Sequence, residues 1–182
     1  MLGLQRGTVA LHAHDEAWMM QAKETCRMLK GLLGDTAVDI QHVGSTAVPG
    51  LMAKPILDIV IGVRELEDLD PYVEKLTQAG IYERGQDLPG QRLFVMGDFE
   101  ADTRTHHIHA VRWNDSAWKN YIRFRDYLRT FAEKRSEYEA EKRSLAASHP
   151  ADRRAYTERK AELIGRLLTE ANRWAEEGKS DG

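Results

Sequence analysis

Residues 42–63, HVGSTAVPGLMAKPILDIVIGV, contain the features that decide the fold of this 182-residue chain. The second half, residues 55–63, is an almost continuous run of β-branched and aliphatic residues, which is typical of a strand covered on both faces. The first half is punctuated by Gly44, Pro49 and Gly50, and it therefore predicts a turn-rich loop and not a helix. The stretch predicts a loop that leads into a buried strand.

One carboxylate, Asp58, stands in the middle of that apolar strand. Burying an unpaired carboxylate costs roughly 3 kcal/mol or more, so Asp58 needs a partner or a metal ion. Lys54, at the strand entrance, is one candidate partner and is equally placed to neutralise a ligand phosphate. Gly44-Ser45 offers a hydroxyl, N–H groups and a backbone that can approach a phosphate closely. A Gly-Ser dipeptide alone also fits an ordinary turn; the buried aspartate that follows favours a site.

Hydrophobic periodicity predicts the elements around this stretch. Apolar residues at helical spacing predict helices over 15–33, ended by Gly34, and over 65–79. Period-two patterns predict strands over 36–43, 91–96 and 104–113, the last two paired as an antiparallel ribbon. In the first of these strands Val38, Ile40 and His42 share one side, so His42 ends the strand on the face of Ile40.

From residue 114 onward the chain reads as three helices, with breaks near Thr130 and at His149-Pro150. The expected fold class is α/β (α+β), a mixed β-sheet flanked by helices. We expect a single domain over residues 1–182, with the α/β portion over about 1–113 and a helical portion over about 114–177. A cleft between the two portions is the expected ligand site.

The stretch 42–63 resembles the signature of the GrpB-like family, a branch of the nucleotidyltransferase superfamily. The resemblance extends over about residues 15–170 and includes THHIHAV (105–111), FRDYLR (124–129) and the spacings Tyr138 to Lys142 and Tyr156 to Lys160. It implies a nucleotidyltransferase-like fold, in which the Gly-Ser turn holds the triphosphate of a nucleotide and strand carboxylates hold Mg²⁺ for transfer of a nucleoside monophosphate. The superfamily pattern has a second acidic residue two positions after the first, where this chain has Val60. Asp58 alone does not supply a standard two-metal site.

Two histidines form a further candidate group. His107 and His109 lie two apart in a predicted strand and therefore share a face. With Asp58 on another strand they make a two-His, one-carboxylate set that suits Zn²⁺ or Mn²⁺. The alternative is that they are hydrogen-bonded histidines at the edge of a cleft, contacting phosphate when protonated.

Each of the three C-terminal helices has one cation in its apolar stripe: Arg125, Lys142 and Lys160. A single Lys or Arg in such a stripe usually extends its charge to the rim of the core. Three in succession, as in the GrpB-like pattern, suggest cations directed into a shared cleft. There they would hold the phosphates of a nucleotide, with Arg125 suited to bidentate contact.

The bulk composition excludes several classes of protein. The formal net charge is -3 and the pI is about 6.2, which does not favour nucleic acid or an anionic membrane as a partner. No apolar run approaches the roughly 20 residues of a membrane span, and the N-terminus lacks a signal-peptide pattern. The single cysteine fits a reducing compartment, so we expect a cytoplasmic protein.

Three functions remain open at this point. The first is a nucleotidyltransferase-like enzyme that binds a nucleotide at Gly44-Ser45, aided by His42, and uses Asp58, with a divalent metal, to transfer a group to a small acceptor. The second is a metal-dependent hydrolase built on Asp58, His107 and His109. The third is a non-catalytic nucleotide-binding or coenzyme A-related protein, since domains resembling this family also occur fused to dephospho-coenzyme A kinase.

Overall fold

The computed structural model describes residues 2–8, 10–85, 88–148 and 153–178. The strands are β1 (Leu4–Gln5), β2 (Asp39–Val43), β3 (Leu57–Val63), β4 (Tyr82–Gly85), β5 (Gln91–Met96), β6 (Thr103–Arg104) and β7 (His106–Arg112). The helices are α1 (Ala17–Leu33), α2 (Val73–Gln78), α3 (Ser116–Thr130), α4 (Ala132–Ser148) and α5 (Arg153–Glu177). Three 3₁₀ helices lie at Gly34–Thr36, Ser45–Ala47 and Leu66–Tyr72 in the described residues.

Five of the strands form one mixed sheet in the order β2-β3-β7-β5-β4. The inner pair β3 and β7 is parallel, and the other neighbouring pairs are antiparallel. The predicted α+β class is therefore confirmed, and so is the antiparallel pairing of the strands that contain QRLFVM and THHIHAV. The two short strands β1 and β6 pair separately from this sheet.

The two faces of β3 explain its sequence. Leu57, Ile59 and Ile61 are fully buried on one face, in the core that also contains residues of α1. Burial of each such side chain stabilises the fold by about 1.5–3 kcal/mol. On the other face Val60 is fully buried against Trp118 of α3, whereas Asp58 is only partly covered. The strand is thus apolar on both faces except at its N-terminal end.

The loop between β2 and β3 is anchored in the helical portion. Val48 and Leu51 are fully buried and belong to the apolar cluster of α3, α4 and α5, which includes Phe124, Tyr138 and Leu163. The backbone of Met52 donates a hydrogen bond to Glu139 Oε2 of α4, at 2.9 Å. These contacts hold the loop, and with it the Gly-Ser turn, between the sheet and the C-terminal helices.

The segment 65–79, for which the sequence predicts a helix with Pro71 in a first turn or marking a break, begins as a 3₁₀ helix and becomes α-helical only at Val73. The Pro71 ring excludes the hydrogen bonds of a continuous α-helix. One feature differs from the sequence prediction. Strand β4 was not predicted, since it is short and mostly exposed and shows no apolar alternation. The break near Thr130 is confirmed, whereas the one predicted at His149-Pro150 lies outside the described residues.

Within the described residues, no helix combines the length and the apolar character that crossing a bilayer requires.

Candidate functional site

The Gly-Ser turn follows β2 directly and lies against Asp58. Gly44 has φ 71° and ψ -170°, a conformation that is essentially restricted to glycine. A Cβ atom at Gly44 would overlap Asp58 Oδ2 and would stand 2.9 Å from Asp58 Cβ. The turn therefore needs glycine for two reasons, its backbone conformation and the close approach of the carboxylate.

Asp58 and the two strand histidines lie together on one face of the sheet. Asp58 is paired with His107 across the parallel strands β3 and β7, and paired residues share a face. Asp58 Oδ1 lies 3.5 Å from His107 Nδ1 and 3.7 Å from His109 Nε2. These distances are long for hydrogen bonds, so the interaction is mainly electrostatic.

The environment of Asp58 keeps it ionised. Burial by itself raises the pKa of Asp58, but the facing imidazoles of His107 and His109 outweigh burial and hold the pKa well below its usual range. A carboxylate with so low a pKa is a poor proton acceptor at neutral pH. Asp58 is therefore suited to contribute a fixed negative charge and to orient the two imidazoles.

The metal role expected for Asp58, His107 and His109 stays a prediction. Within the described residues, no group of three or more His, Cys, Asp and Glu side chains is arranged to hold a metal ion. Val60, where the superfamily pattern has its second carboxylate, is fully buried among apolar side chains. We therefore derive no metal-dependent step from Asp58, His107 and His109.

A cleft of about 220 Å³ opens beside this group, between the sheet and the C-terminal helices. We call it the Ser45 cleft. The α/β portion lines it with Ser45, Thr46, Lys54, Asp58 and His107, and α4 and α5 line it with Lys142, Tyr156, Thr157 and Lys160.

Lys142 is the most buried charged side chain of this cleft, with 1% of its surface exposed. Its Nζ donates to Met52 O at 2.5 Å and to Ser45 Oγ at 3.3 Å. Burial is the main cause that lowers the pKa of Lys142 to about 7; the charge of Lys160 lowers it further and Glu139 opposes the change. At neutral pH this amine is close to the midpoint of its titration and holds the Ser45 hydroxyl in place.

The other two lysines of the cleft, Lys54 and Lys160, both interact with Tyr156. Lys54 Nζ stands over the Tyr156 ring, 4.6 Å from its centroid. The pKa of Lys160 is raised chiefly by Tyr138, with smaller contributions from Tyr156 and Asp58, against the opposing effect of burial. Lys160 is therefore a cation at neutral pH.

His42 and Arg125 do not line the cleft. His42 is paired with Ile59, so its ring lies on the face opposite Asp58, where its Nε2 is 2.9 Å from Thr46 Oγ1. Burial is the main cause that lowers the pKa of His42 to about 4. The neutral ring contacts the turn through the Thr46 hydroxyl. Direct phosphate contact by His42 is not supported by this position.

The guanidinium of Arg125 is occupied by protein groups. It donates to Gln41 Oε1 at 2.8 Å, to the His42 carbonyl at 3.0 Å and to the carboxylate of Asp126. Only 8% of the residue is exposed. Arg125 therefore fixes α3 to strand β2, and we do not retain it as a phosphate ligand.

Sequence reasoning missed Thr46, Tyr156 and Thr157 as residues of the cleft. Tyr156 stands at helical spacing from Leu163, and this spacing is typical of a core residue. A usable signal was its position four residues before Lys160, since residues at that spacing lie on the same side of a helix.

The fold is that of nucleotidyltransferases. A solved structure of a cytoplasmic RNA terminal U-transferase is similar to this chain with a TM-score of 0.52, over 75% of this chain and 41% of that chain. The sequence identity is 13%, so the likeness concerns the fold alone. The chain therefore has a nucleotidyltransferase-like fold, in which the Gly-Ser turn lies against a strand aspartate.

The chain belongs to the GrpB family, whose model, described as GrpB protein, matches residues 8–170. It is 36% identical over 173 residues to the glutamate-rich protein GrpB of Alkalihalophilus pseudofirmus, covering 93% of this chain and 99% of that protein. It is also similar to the crystal structure of the conserved protein GrpB from Enterococcus faecalis. That match has a TM-score of 0.81 and 30% identity and covers 89% of this chain and 96% of that chain.

Proposed function

We propose that this protein binds a nucleotide or another phosphate-bearing small molecule in the Ser45 cleft and transfers a nucleotidyl or phosphoryl group from it to a small acceptor. The observation that carries the proposal is the convergence of Lys54, Lys142 and Lys160 on one cleft beside the Gly-Ser turn. Ammonium groups and hydroxyls are common ligands of phosphate oxygens in proteins.

The charge balance of the cleft supports an anionic ligand. The three lysines face a single carboxylate, Asp58, among the residues that line the described cleft. Bringing Lys54, the partly protonated Lys142 and the cationic Lys160 together has an electrostatic cost, which an anionic ligand would offset. The phosphates of a nucleotide supply such charge.

The proposed transfer relies on positioning and charge neutralisation, because the lining of the described cleft has no second carboxylate to complete a two-metal site. The lysines would bind the phosphates and stabilise the charge that develops on their oxygens during transfer. Asp58 would hold His107, which lines the same cleft, in a defined orientation towards the acceptor. A divalent cation that enters with the nucleotide would meet Asp58 as the only lining carboxylate of the described cleft.

Replacing Lys160 by glutamine is expected to weaken ATP binding by about tenfold or more, the usual cost of losing one charge-assisted hydrogen bond. Isothermal titration calorimetry with ATP, with and without Mg²⁺, measures this change. Arg159→Gln is the matched control, because it removes one positive charge from the adjacent position, where Arg159 is exposed and paired only with Glu162 in the described residues. Equal affinities for both variants, or no ATP binding by the unmodified protein, would contradict the proposed site.

Replacing Asp58 by asparagine separates transfer from binding. Removal of a negative charge next to the phosphates is expected to leave ATP affinity unchanged or slightly increased. Turnover is expected to fall by about 100-fold or more, the size of effect seen when one preorganised electrostatic group is lost. The measurement is release of pyrophosphate or phosphate from nucleoside triphosphates in the presence of hydroxyl- and amine-bearing acceptors. Full turnover by Asp58→Asn would rule out the proposed role of Asp58.

Binding without transfer is the second candidate function, and the buried Val60 favours it. That position is fully enclosed by the apolar cluster under α3 and offers no space for a second charged ligand. ATP binding without turnover across the same acceptor panel would identify the protein as a binding protein and would reject the transferase proposal.

A further inference from the structure

We propose that the Ser45 cleft recognises the phosphate end of its ligand and does not read a nucleobase, with the Tyr156 hydroxyl as a hydrogen-bond donor to a phosphate oxygen. Its ligands are then polyphosphates, inorganic or organic, bound irrespective of base. The inference rests on the proposed phosphate binding and narrows its ligand class.

The size of the cleft limits what it encloses. Its volume is about 220 Å³, below the roughly 300–1,000 Å³ of pockets that enclose most of a drug-sized ligand. A short chain of phosphate groups requires less space than a complete nucleotide. A nucleotide seated by its phosphates would therefore extend its sugar and base beyond the cleft.

The side chains that line the cleft also argue against recognition of a base. Recognition of a base commonly uses an aromatic face for stacking or the amide of an Asn or Gln, which pairs with the base edge through two hydrogen bonds. No Asn or Gln side chain lines the described cleft, and its one aromatic side chain of the Phe, Tyr or Trp type is Tyr156. One face of that ring is covered by Lys54 Nζ at 4.6 Å, and only 1% of the residue is exposed. Stacking of a base on the covered face would require displacement of this ammonium group.

The hydroxyl of Tyr156 is the second, independent observation. Tyr156 is 1% exposed, and its Oη is buried without a hydrogen-bond partner among the described residues. A buried hydroxyl without a partner destabilises a fold, so such groups in native structures require an explanation. Because Tyr156 lines the cleft together with Lys54 and Lys160, we assign a bound phosphate oxygen as the missing acceptor.

A competition panel tests the ligand class. The probes are inorganic tripolyphosphate, pyrophosphate, ATP, CTP, GTP, UTP and adenosine, each at matched ionic strength, with displacement of a fluorescent ATP analogue as the readout. We expect tripolyphosphate to bind within about threefold of ATP, the four nucleotides to agree within about threefold, and adenosine not to compete. ATP binding more than tenfold tighter than tripolyphosphate, or a tenfold preference for one base, would overturn this inference and leave the proposed function intact. Failure of every phosphate-bearing probe would overturn both.

The variant Tyr156→Phe tests the hydroxyl. We expect tripolyphosphate affinity to fall about tenfold, because one hydrogen bond to a charged group is lost, while the thermal midpoint stays the same or rises, because an unsatisfied buried hydroxyl is removed. Tyr127→Phe is the matched control, since Tyr127 Oη donates to Glu170 Oε2 at 2.9 Å away from the cleft. The control is expected to lower the thermal midpoint without changing affinity. Unchanged affinity in Tyr156→Phe would exclude the hydroxyl as a ligand.

Discussion

Alanine at position 44 is expected to lower the free energy of unfolding by about 3–5 kcal/mol, the sum of backbone strain and steric overlap. The backbone of Gly44, with φ 71° and ψ -170°, lies in a region where other residues are strained by roughly 1–3 kcal/mol. The added Cβ would also overlap Asp58 Oδ2 and stand 3.0 Å from Asp58 Cγ. This overlap can be relieved only if Asp58 or the turn moves, and either movement disrupts the site.

Chemical denaturation of Gly44→Ala measures this loss, and Gly50→Ala is its matched control. Gly50 also has a positive φ, 77°, but a Cβ there would meet no atom within 4 Å, so we expect a cost of about 1–2 kcal/mol from the backbone alone. Combining Gly44→Ala with Asp58→Ala removes two of the three overlapping atoms. The double variant should therefore recover part of the loss, with a coupling energy of about 1–2 kcal/mol. If Gly44→Ala and Gly50→Ala lower the free energy of unfolding equally, and Gly44→Ala shows no coupling with Asp58→Ala, the Asp58 carboxylate does not restrict the residue at position 44 sterically.

The sequence was sufficient for the centre of the fold and for the grouping of Asp58 with the two strand histidines. An apolar run with one aspartate is a strong signal, because a buried strand explains the run and the charge within it needs a partner or a metal ion. The period-two spacing of His107 and His109 similarly requires a shared face. The structure brings both next to Asp58.

The positions of His42 and Arg125 could not be predicted, because they depend on register and packing between elements. The sequence places His42 on the face of Ile40, but only the β2–β3 register, which pairs His42 with Ile59, shows that this face is opposite Asp58. Arg125 and Lys142 have similar surroundings in sequence. They differ because Arg125 meets Gln41 and the His42 carbonyl, whereas Lys142 reaches Ser45.

Lys142 is expected to make stability depend strongly on pH above neutrality. The pKa of Lys142 is lowered from its ordinary value of 10.5 to about 7, chiefly by burial. Below pH 7 the amine is protonated in both the folded and the unfolded state, so folding bears the full cost of burying the charge. Between about pH 7 and pH 10.5 the unfolded chain binds the proton and the folded protein releases it, so stability rises with pH. Each pKa unit corresponds to about 1.4 kcal/mol, so the rise should amount to several kcal/mol.

The variant Lys142→Met should lack this rise in stability with pH. Urea denaturation at intervals from pH 6 to pH 10 measures the free energy of unfolding of the variant and of the unmodified protein. The neighbouring groups Lys160, Glu139 and Tyr138 are present in both proteins, so the difference between the two profiles isolates Lys142. Lys23→Met, at an exposed position of α1, is the control and should follow the unmodified profile. If the stability of Lys142→Met changes with pH in the same way as that of the unmodified protein, Lys142 remains charged in the folded protein at neutral pH. The cleft then holds three full cations, and its need for a polyanionic ligand is correspondingly greater.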